Sequence, residues 1–252
     1  MKKWFLYAAV FFVSYIIFMV ATLPVNRALS YVSLPKNIQL VAVTGSMWDI
    51  KVKQVIIRAT NNKRILINNI NIRLSVSSLL LFDPSVAVSF GGHSLSGPKG
   101  QLTANHLLND ISISDAKIAL DAAEVIAQLS LPIAVEAFGK MSLNLQDYTL
   151  GKPLCKSAKG TITWPKAALA AFEQTAELGT LKAKLSCEKG VLVASVEPKN
   201  NLGLTFTTYI RSSKHISGNG YLKPTGKFPP ALTQVLPFLG KPDRNGRYRL
   251  NF

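Results

Sequence analysis

The residues able to do chemistry are few and scattered. The three histidines, His93, His106 and His215, stand in unrelated surroundings, with neither a His-Glu-x-x-His spacing nor the paired cysteines of a zinc site. Ser94 and Ser96 lie in Gly91-Gly92-His93-Ser94-Leu95-Ser96-Gly97, which superficially resembles a phosphate cradle or a nucleophile elbow. It matches neither, because Gly-x-Ser-x-Gly is absent and Pro98 stands where a phosphate loop carries its lysine. Gly226-Lys227 is followed by Phe228, so the magnesium-binding hydroxyl is missing there too. A hairpin turn is the reading of the glycine-rich stretch, glycine supplying the positive φ angles. Carboxylates number 13, and Glu173 and Glu177 have the spacing of an exposed helix face, not of a glycosidase pair. No set of nucleophile, base and orienting group assembles. The expectation is a protein that is not an enzyme, with no catalytic, metal or cofactor-binding residue.

Two cysteines remain, Cys155 and Cys187. Isolated and even in number, they fit a structural disulfide in an oxidising compartment, which in the chain-entropy model adds about 3–4 kcal/mol. Two unrelated buried thiols are the other reading. Cys187 is in phase with Leu181, Ala183 and Leu185, so its sulfur is expected on the buried face, tying two sheet segments across a core. Lys+Arg 29 against Asp+Glu 13 gives +16 over 252 residues. The basic residues are dispersed and do not interleave with aromatic platforms, which argues against nucleic acid and for a solvated surface or anionic headgroups.

The first thirty or so residues narrow the class further. After Lys2-Lys3, residues 4–23 carry no charge, and at ~1.5 Å per helical residue they span roughly 30 Å, a bilayer's hydrocarbon core. Trp4 and Tyr7 suit the interface, and Pro24 follows where a helix would stop. A cleaved signal peptide would show a shorter apolar stretch and a small-x-small site, and neither is present. The reading is an uncleaved signal anchor crossing once. Lys2 and Lys3 against Arg27 and Lys36 leave orientation open by charge alone. Together with the cysteines they place the N-terminus in the cytoplasm and residues 25–252 in a periplasm or similar space.

Beyond the anchor, alternation dominates. Ile70, Ile72, Leu74 and Val76 alternate with Asn71, Arg73, Ser75 and Ser77, the period of a half-buried antiparallel strand. Val86, Val88 and Phe90; Met141, Leu143 and Leu145; Leu204, Phe206, Thr208 and Ile210; and Tyr248, Leu250 and Phe252 repeat the pattern. Three helices interrupt it: one behind Asp121-x-x-Glu124 with Ala122, Val125, Ile126 and Leu129 on a face; one opened by Pro165, with Leu169 and Phe172, ending at Gly179; and one opened by Pro229-Pro230 and kinked or broken at Pro237. The predicted fold is mainly β: an N-terminal transmembrane helix followed by an elongated, curved antiparallel β-sheet module with a few short helices. The boundaries are 1–3 cytoplasmic, 4–23 anchor, 24–40 linker and 41–252 periplasmic β-rich domain.

Several motifs, in order and spacing, carry a resemblance. They are Val43-Thr44-Gly45-Ser46-Met47-Trp48-Asp49, similar to a Gly-Thr-x-Trp-x-Gly stretch; Pro153-Leu154-Cys155 followed by Gly160-Thr161-Ile162-Thr163-Trp164-Pro165; Leu178-Gly179-Thr180-Leu181 with Leu185-Ser186-Cys187 and Gly190; and Gly240-Lys241-Pro242-Asp243-Arg244-Asn245-Gly246-Arg247-Tyr248. Over nearly its full length the chain resembles the type II secretion system protein N family of Gram-negative bacteria, departing from it at Asp49-Ile50. Gly45, Trp48, Trp164, Gly246 and Tyr248 are the motif positions singled out.

The resemblance implies a bitopic inner-membrane subunit that supports export of folded periplasmic proteins across the outer membrane. Its partners would be other secretion subunits, on the inner-membrane platform or the outer-membrane secretin side, with the bilayer held through residues 4–23. It implies no catalytic residue. The family's distant similarity to AsmA-like envelope proteins supplies an alternative, a lipid-binding or envelope-maintenance protein whose apolar β groove holds phospholipid.

Overall fold

The computed structural model describes residues 2–25, 27, 35, 37–58, 64–80, 82–92, 97–107, 110–128, 135–171, 174–212 and 215–251. The chain forms two compact units, Met1–Ser96 and Gly97–Phe252.

In the first unit, helix α1 (Lys2–Ala21) precedes strands β1 (Ile38–Gly45), β2 (Asp49–Arg58) and β3 (Arg64–Leu74), a short helix α2 (Val76–Leu80) and strand β4 (Val86–Phe90). The strands pair antiparallel in sequence order. Val43, Val52 and Ile70 form one cross-strand row, and Ile50, Ile72 and Val88 another. The strand read through Val76 stops at Leu74 instead, because Ser75 and Ser78 join in a hydrogen-bonded turn, Ser78 Oγ donating to the Ser75 carbonyl at 2.7 Å, and Val76 opens α2. Side chains of α1 are described for residues 4–19; all are exposed and uncharged, and apart from Ser14 and the hydroxyls of Tyr7 and Tyr15 they are apolar. Among the described residues no helix is long and apolar enough to cross a membrane.

The phase of alternation changes once, in step, on three strands. Hydrogen-bonded pairs recur every second residue in an antiparallel ladder, yet Arg58 N–H donates to the Asn37 carbonyl and Ser46 N–H to the Asp49 carbonyl, positions of opposite parity on β1. The change falls at the row Ala42, Lys53, Asn69, where Ala42 and Asn69 have φ of 51° and 50°. Apolar positions therefore run Leu40 then Val43, Val52 then Val55, Ile67 then Ile70, which keeps them on one face on both sides of the row.

The second unit has strands β5 (Lys99–Asn105), β6 (Ser112–Asp121), helix α3 (Ala122–Gln128), β7 (Glu136–Phe138), β8 (Lys140–Leu150), β9 (Cys155–Ala171), β10 (Gln174–Glu188), β11 (Val191–Val196), β12 (Leu204–Ser212), β13 (His215–Leu222), a 3-10 helix (Pro230–Leu239) and β14 (Tyr248–Asn251). Neighbours run β5-β6-β8-β9-β10-β11-β12-β13-β14, all antiparallel, with β7 on the far end of β9. The sheet is two-faced by register. Leu102, Ala116, Leu145, Gly160, Leu185 and Ala194 line up across six strands, and one residue away Gln101, Lys117, Asn144, Thr161, Lys184, Ser195, Thr207, Asn219 and Asn251 make a wholly polar row across nine.

Two apolar clusters hold this unit. The larger gathers Ala122, Ala137, Trp164, Ala167, Ala176, Leu178, Leu202 and Leu222, with Ile126 of α3 and Leu232, Leu236 and Leu239 of the 3-10 helix packed on it. The smaller, Ala116, Leu145 and Leu185 with Leu102, Ile113, Leu143, Tyr148, Ile162 and Ala194, draws only on strands.

Three further expectations are corrected. The helix read from Pro165 to Gly179 is the β9–β10 hairpin instead. Pro165 and Lys166 sit at a bulge, β9 carrying the extra residue between the pairs Gly179–Ala167 and Leu181–Trp164, so the missing proline N–H breaks no ladder bond. Neighbours on both sides, β7 and β10, override the helix propensity of the alanine-rich stretch. The helix opened by Pro229-Pro230 is a single 3-10 run with Pro237 inside it. The disulfide joins adjacent strands of one sheet, not two segments across a core. Helix α3 forms where read, but Glu124 Oε1 accepts the Gly97 N–H at 2.8 Å. Leu129, Phe172, Glu173, residues 93–96 and Phe252 lie outside the described residues.

Candidate functional site

The motif residues separate into three structural places. Gly45 and Trp48 build the turn between β1 and β2. Gly45 has φ +105°, and a Cβ there would stand 2.1 Å from the Asp49 carbonyl oxygen, so the turn admits no side chain. Trp48 N–H donates to Ser46 Oγ at 3.3 Å, and its carbonyl accepts the Leu74 N–H at 2.9 Å, tying the turn to the end of β3.

Trp164 lies in the larger apolar cluster of the second unit, and Tyr248 packs against that cluster. Trp164 is 8% exposed, and its indole N–H donates to the Phe138 carbonyl at 2.9 Å, so the polar atom is satisfied as burial requires. Gly139 leaves the room: a Cβ there would lie 3.3 Å from the indole nitrogen. Gly246, with φ 72°, closes the turn that leads into β14.

Cys155 and Cys187 form a disulfide with a Cα separation of 6.1 Å. Around it Leu154 N–H donates to the Gly190 carbonyl at 3.0 Å, and Tyr148 hydroxyl donates to the Leu154 carbonyl at 2.7 Å. Burial pushes the Tyr148 phenol above its ordinary pKa.

One constellation went unread in the sequence. Asp243 accepts the N–H groups of Asn245 at 2.8 Å and Arg247 at 2.9 Å; its second oxygen accepts from Arg247 Nε at 2.8 Å and pairs with Nη2 at 2.8 Å. The guanidinium lies 4.7 Å over the Tyr221 ring. An aspartate two residues before Asn-Gly was the available signal; Tyr221 reaches it only through the β13–β14 register, which no local pattern announces. The Arg247 N–H above all, with its guanidinium and the Asn245 N–H, holds the Asp243 carboxyl below its ordinary pKa against an opposing desolvation. A lowered folded value means stability present above the unfolded pKa and lost as pH falls through the folded one. Asp243→Asn is therefore expected to lower the urea midpoint at pH 7 and to differ progressively less from the parent as pH falls below the unfolded carboxylate's value near 4. A gap that stays constant with pH would contradict this.

The two described histidines stand in separate turns, and His93 lies outside the described residues. His215 Nδ1 lies 3.0 Å from Ser212 Oγ at a hairpin tip, and His106 occupies a turn with φ 55°. Among the described residues no three His, Cys, Asp or Glu side chains gather to hold a metal ion.

A family model described as type II secretion system (T2SS), protein N, matches residues 36–251. The chain belongs to the type II secretion system protein N family. Relatives named type II secretion system protein N agree: the Vibrio cholerae protein is 27% identical over 92% of this chain and 90% of its own length. The Aeromonas hydrophila protein is 28% identical over 100% and 98%, and the Klebsiella pneumoniae protein 28% over 60% and 61%. No solved structure matches significantly. In this chain the residues singled out have structural work: a turn without a side chain, a satisfied buried indole, and a hydrogen-bonded approach to β14.

Proposed function

We propose that the chain is a non-enzymatic, single-pass inner-membrane subunit of the type II secretion machinery, supporting export of folded proteins from the periplasm through protein–protein contacts of its periplasmic domain. The observation that carries this reading is the family match across residues 36–251. In this reading residues 1–3 are cytoplasmic, 4–23 anchor the chain, 24–40 link and 41–252 lie in the periplasm. Three features support it. Residues 4–25 carry no charge, a run long enough in sequence for a hydrocarbon core of roughly 30 Å. The disulfide suits an oxidising compartment. Strand edges and exposed side chains such as Phe138 and Ile216 offer contact to other secretion subunits on the platform or secretin side. Deleting the gene is expected to leave exoproteins in the periplasm, read by fractionation and restored by the intact chain. Unchanged secretion would overturn the proposal.

One observation favours a second reading. Among the described residues the smaller apolar cluster is built from strands alone, as expected of a face that holds phospholipid acyl chains. In that case deletion makes the envelope permeable while secretion persists.

A further inference from the structure

We infer that the turn of residues 45–49 lies in the lipid headgroup layer of the membrane that α1 enters, with Met47 and Trp48 as its lipid contacts. This rests on the anchor reading above.

The argument is one of height. Helix α1 ends at Ala21, and Thr22 closes it, its N–H and hydroxyl both donating to the Phe18 carbonyl at 3.0 and 2.8 Å. The next residues do not leave as a free tether. The Leu23 carbonyl accepts the Met47 N–H at 3.2 Å, Pro24 and Ser46 form an antiparallel bridge, and Val25 is 2% exposed. The turn is thus one strand spacing, about 4.8 Å, from the residues on which the helix exits. No charge occurs between Trp4 and Val25, so the exit itself lies at the boundary of the hydrocarbon core. The interfacial layer on each side is roughly 5–8 Å deep, comparable with that spacing.

The chemistry of the turn fits the place. Met47 is 36% exposed, Trp48 is half-buried, and an indole is among the side chains favoured at the interface. The backbone is fixed from both sides, by Gly45 and by the Trp48 carbonyl on Leu74 N–H, so these two residues are presented and not left to wander. The one acidic group, Asp49, has Lys51 at 3.7 Å and Arg73 at 3.9 Å. A locally positive surface is the sign that anionic headgroups attract.

The test uses the full chain in phosphatidylethanolamine–phosphatidylglycerol vesicles, with an environment-sensitive thiol probe at Met47→Cys or at Phe11→Cys; the native cysteines are in the disulfide and do not react. Headgroup nitroxide lipids are expected to quench the Met47 probe several-fold more than deep acyl nitroxides do, and the reverse holds at Phe11. A Met47 probe untouched by both lipids and open to aqueous iodide, while the Phe11 probe is quenched, overturns the inference and leaves the anchor reading intact. If neither probe is quenched the anchor reading fails, and the inference with it. Should the labelled turn misfold, Trp4→Phe keeps residues 45–49 native. Shallow brominated lipid is then expected to quench Trp48, the buried Trp164 contributing nothing, and its failure to do so overturns the inference.

Discussion

Trp164→Ala is expected to destabilise the second unit by about 3–5 kcal/mol, the range for removing a large buried aromatic. The indole stands at 8% exposure among Ala122, Ala137, Ala167 and Ala176, small residues of which the last three sit on strands that cannot move inward to refill the space without breaking their own ladders. Its loss also orphans the Phe138 carbonyl, which otherwise accepts the indole N–H. Trp164→Phe separates the two effects: it keeps most of the apolar volume and loses the part-buried bond, at about 0.5–1.5 kcal/mol for a typical hydrogen bond. Denaturant unfolding followed by far-ultraviolet circular dichroism checks both, with the midpoint order parent, Phe, Ala. An alanine variant within 1 kcal/mol of the parent, on the order of an ordinary surface change, would mean that Trp164 is not a keystone of this cluster.

How far the fold was legible depended on where the information lay. Strands with one solvated face announced themselves by alternation: Met141, Leu143 and Leu145 fall in β8, Val86 to Phe90 in β4, and Leu204 to Ile210 in β12. The hairpin of β9 and β10 did not, because Ala167, Ala170 and Ala176 are small, fit helix or strand alike, and take their state from partners distant in sequence, including β7. The phase change at Asn69 was visible as Ile65 and Ile67 giving way to Ile70 and Ile72, but only a left-handed residue explains it, and asparagine is one of the few that accept that conformation readily. What no single-strand pattern could contain is that Ala42 and Asn69 stand in one row across β1, β2 and β3. The motif residues were found as positions and not as roles. That Gly45 excludes a Cβ, or that Trp164 donates to Phe138, belongs to the meeting of segments 4 and 26 residues apart.

Reducing the disulfide, or replacing both cysteines by alanine, is expected to cost about 3–4 kcal/mol by releasing the closed loop in the unfolded chain. The pair is 32 residues apart, and the loop between contains most of β9 and β10, including Trp164. For a unit of this size that corresponds to a fall in Tm of roughly 6–16 °C. The native sheet already pairs β9 with β10 from Lys159–Ser186 onward, so the bridge adds least where pairing is complete and most where it ends. Beyond that pair the chain turns through residues 151–154, held by the Gly190 carbonyl and the Tyr148 hydroxyl. Reduction should therefore loosen this corner first, with amide exchange at Leu154 and Cys155 rising before exchange at Leu185 or Ile162. Uniform exchange across the hairpin after reduction would assign the bridge's whole effect to the unfolded state. An unchanged Tm would show that the ladder of β9 and β10 holds the corner without it.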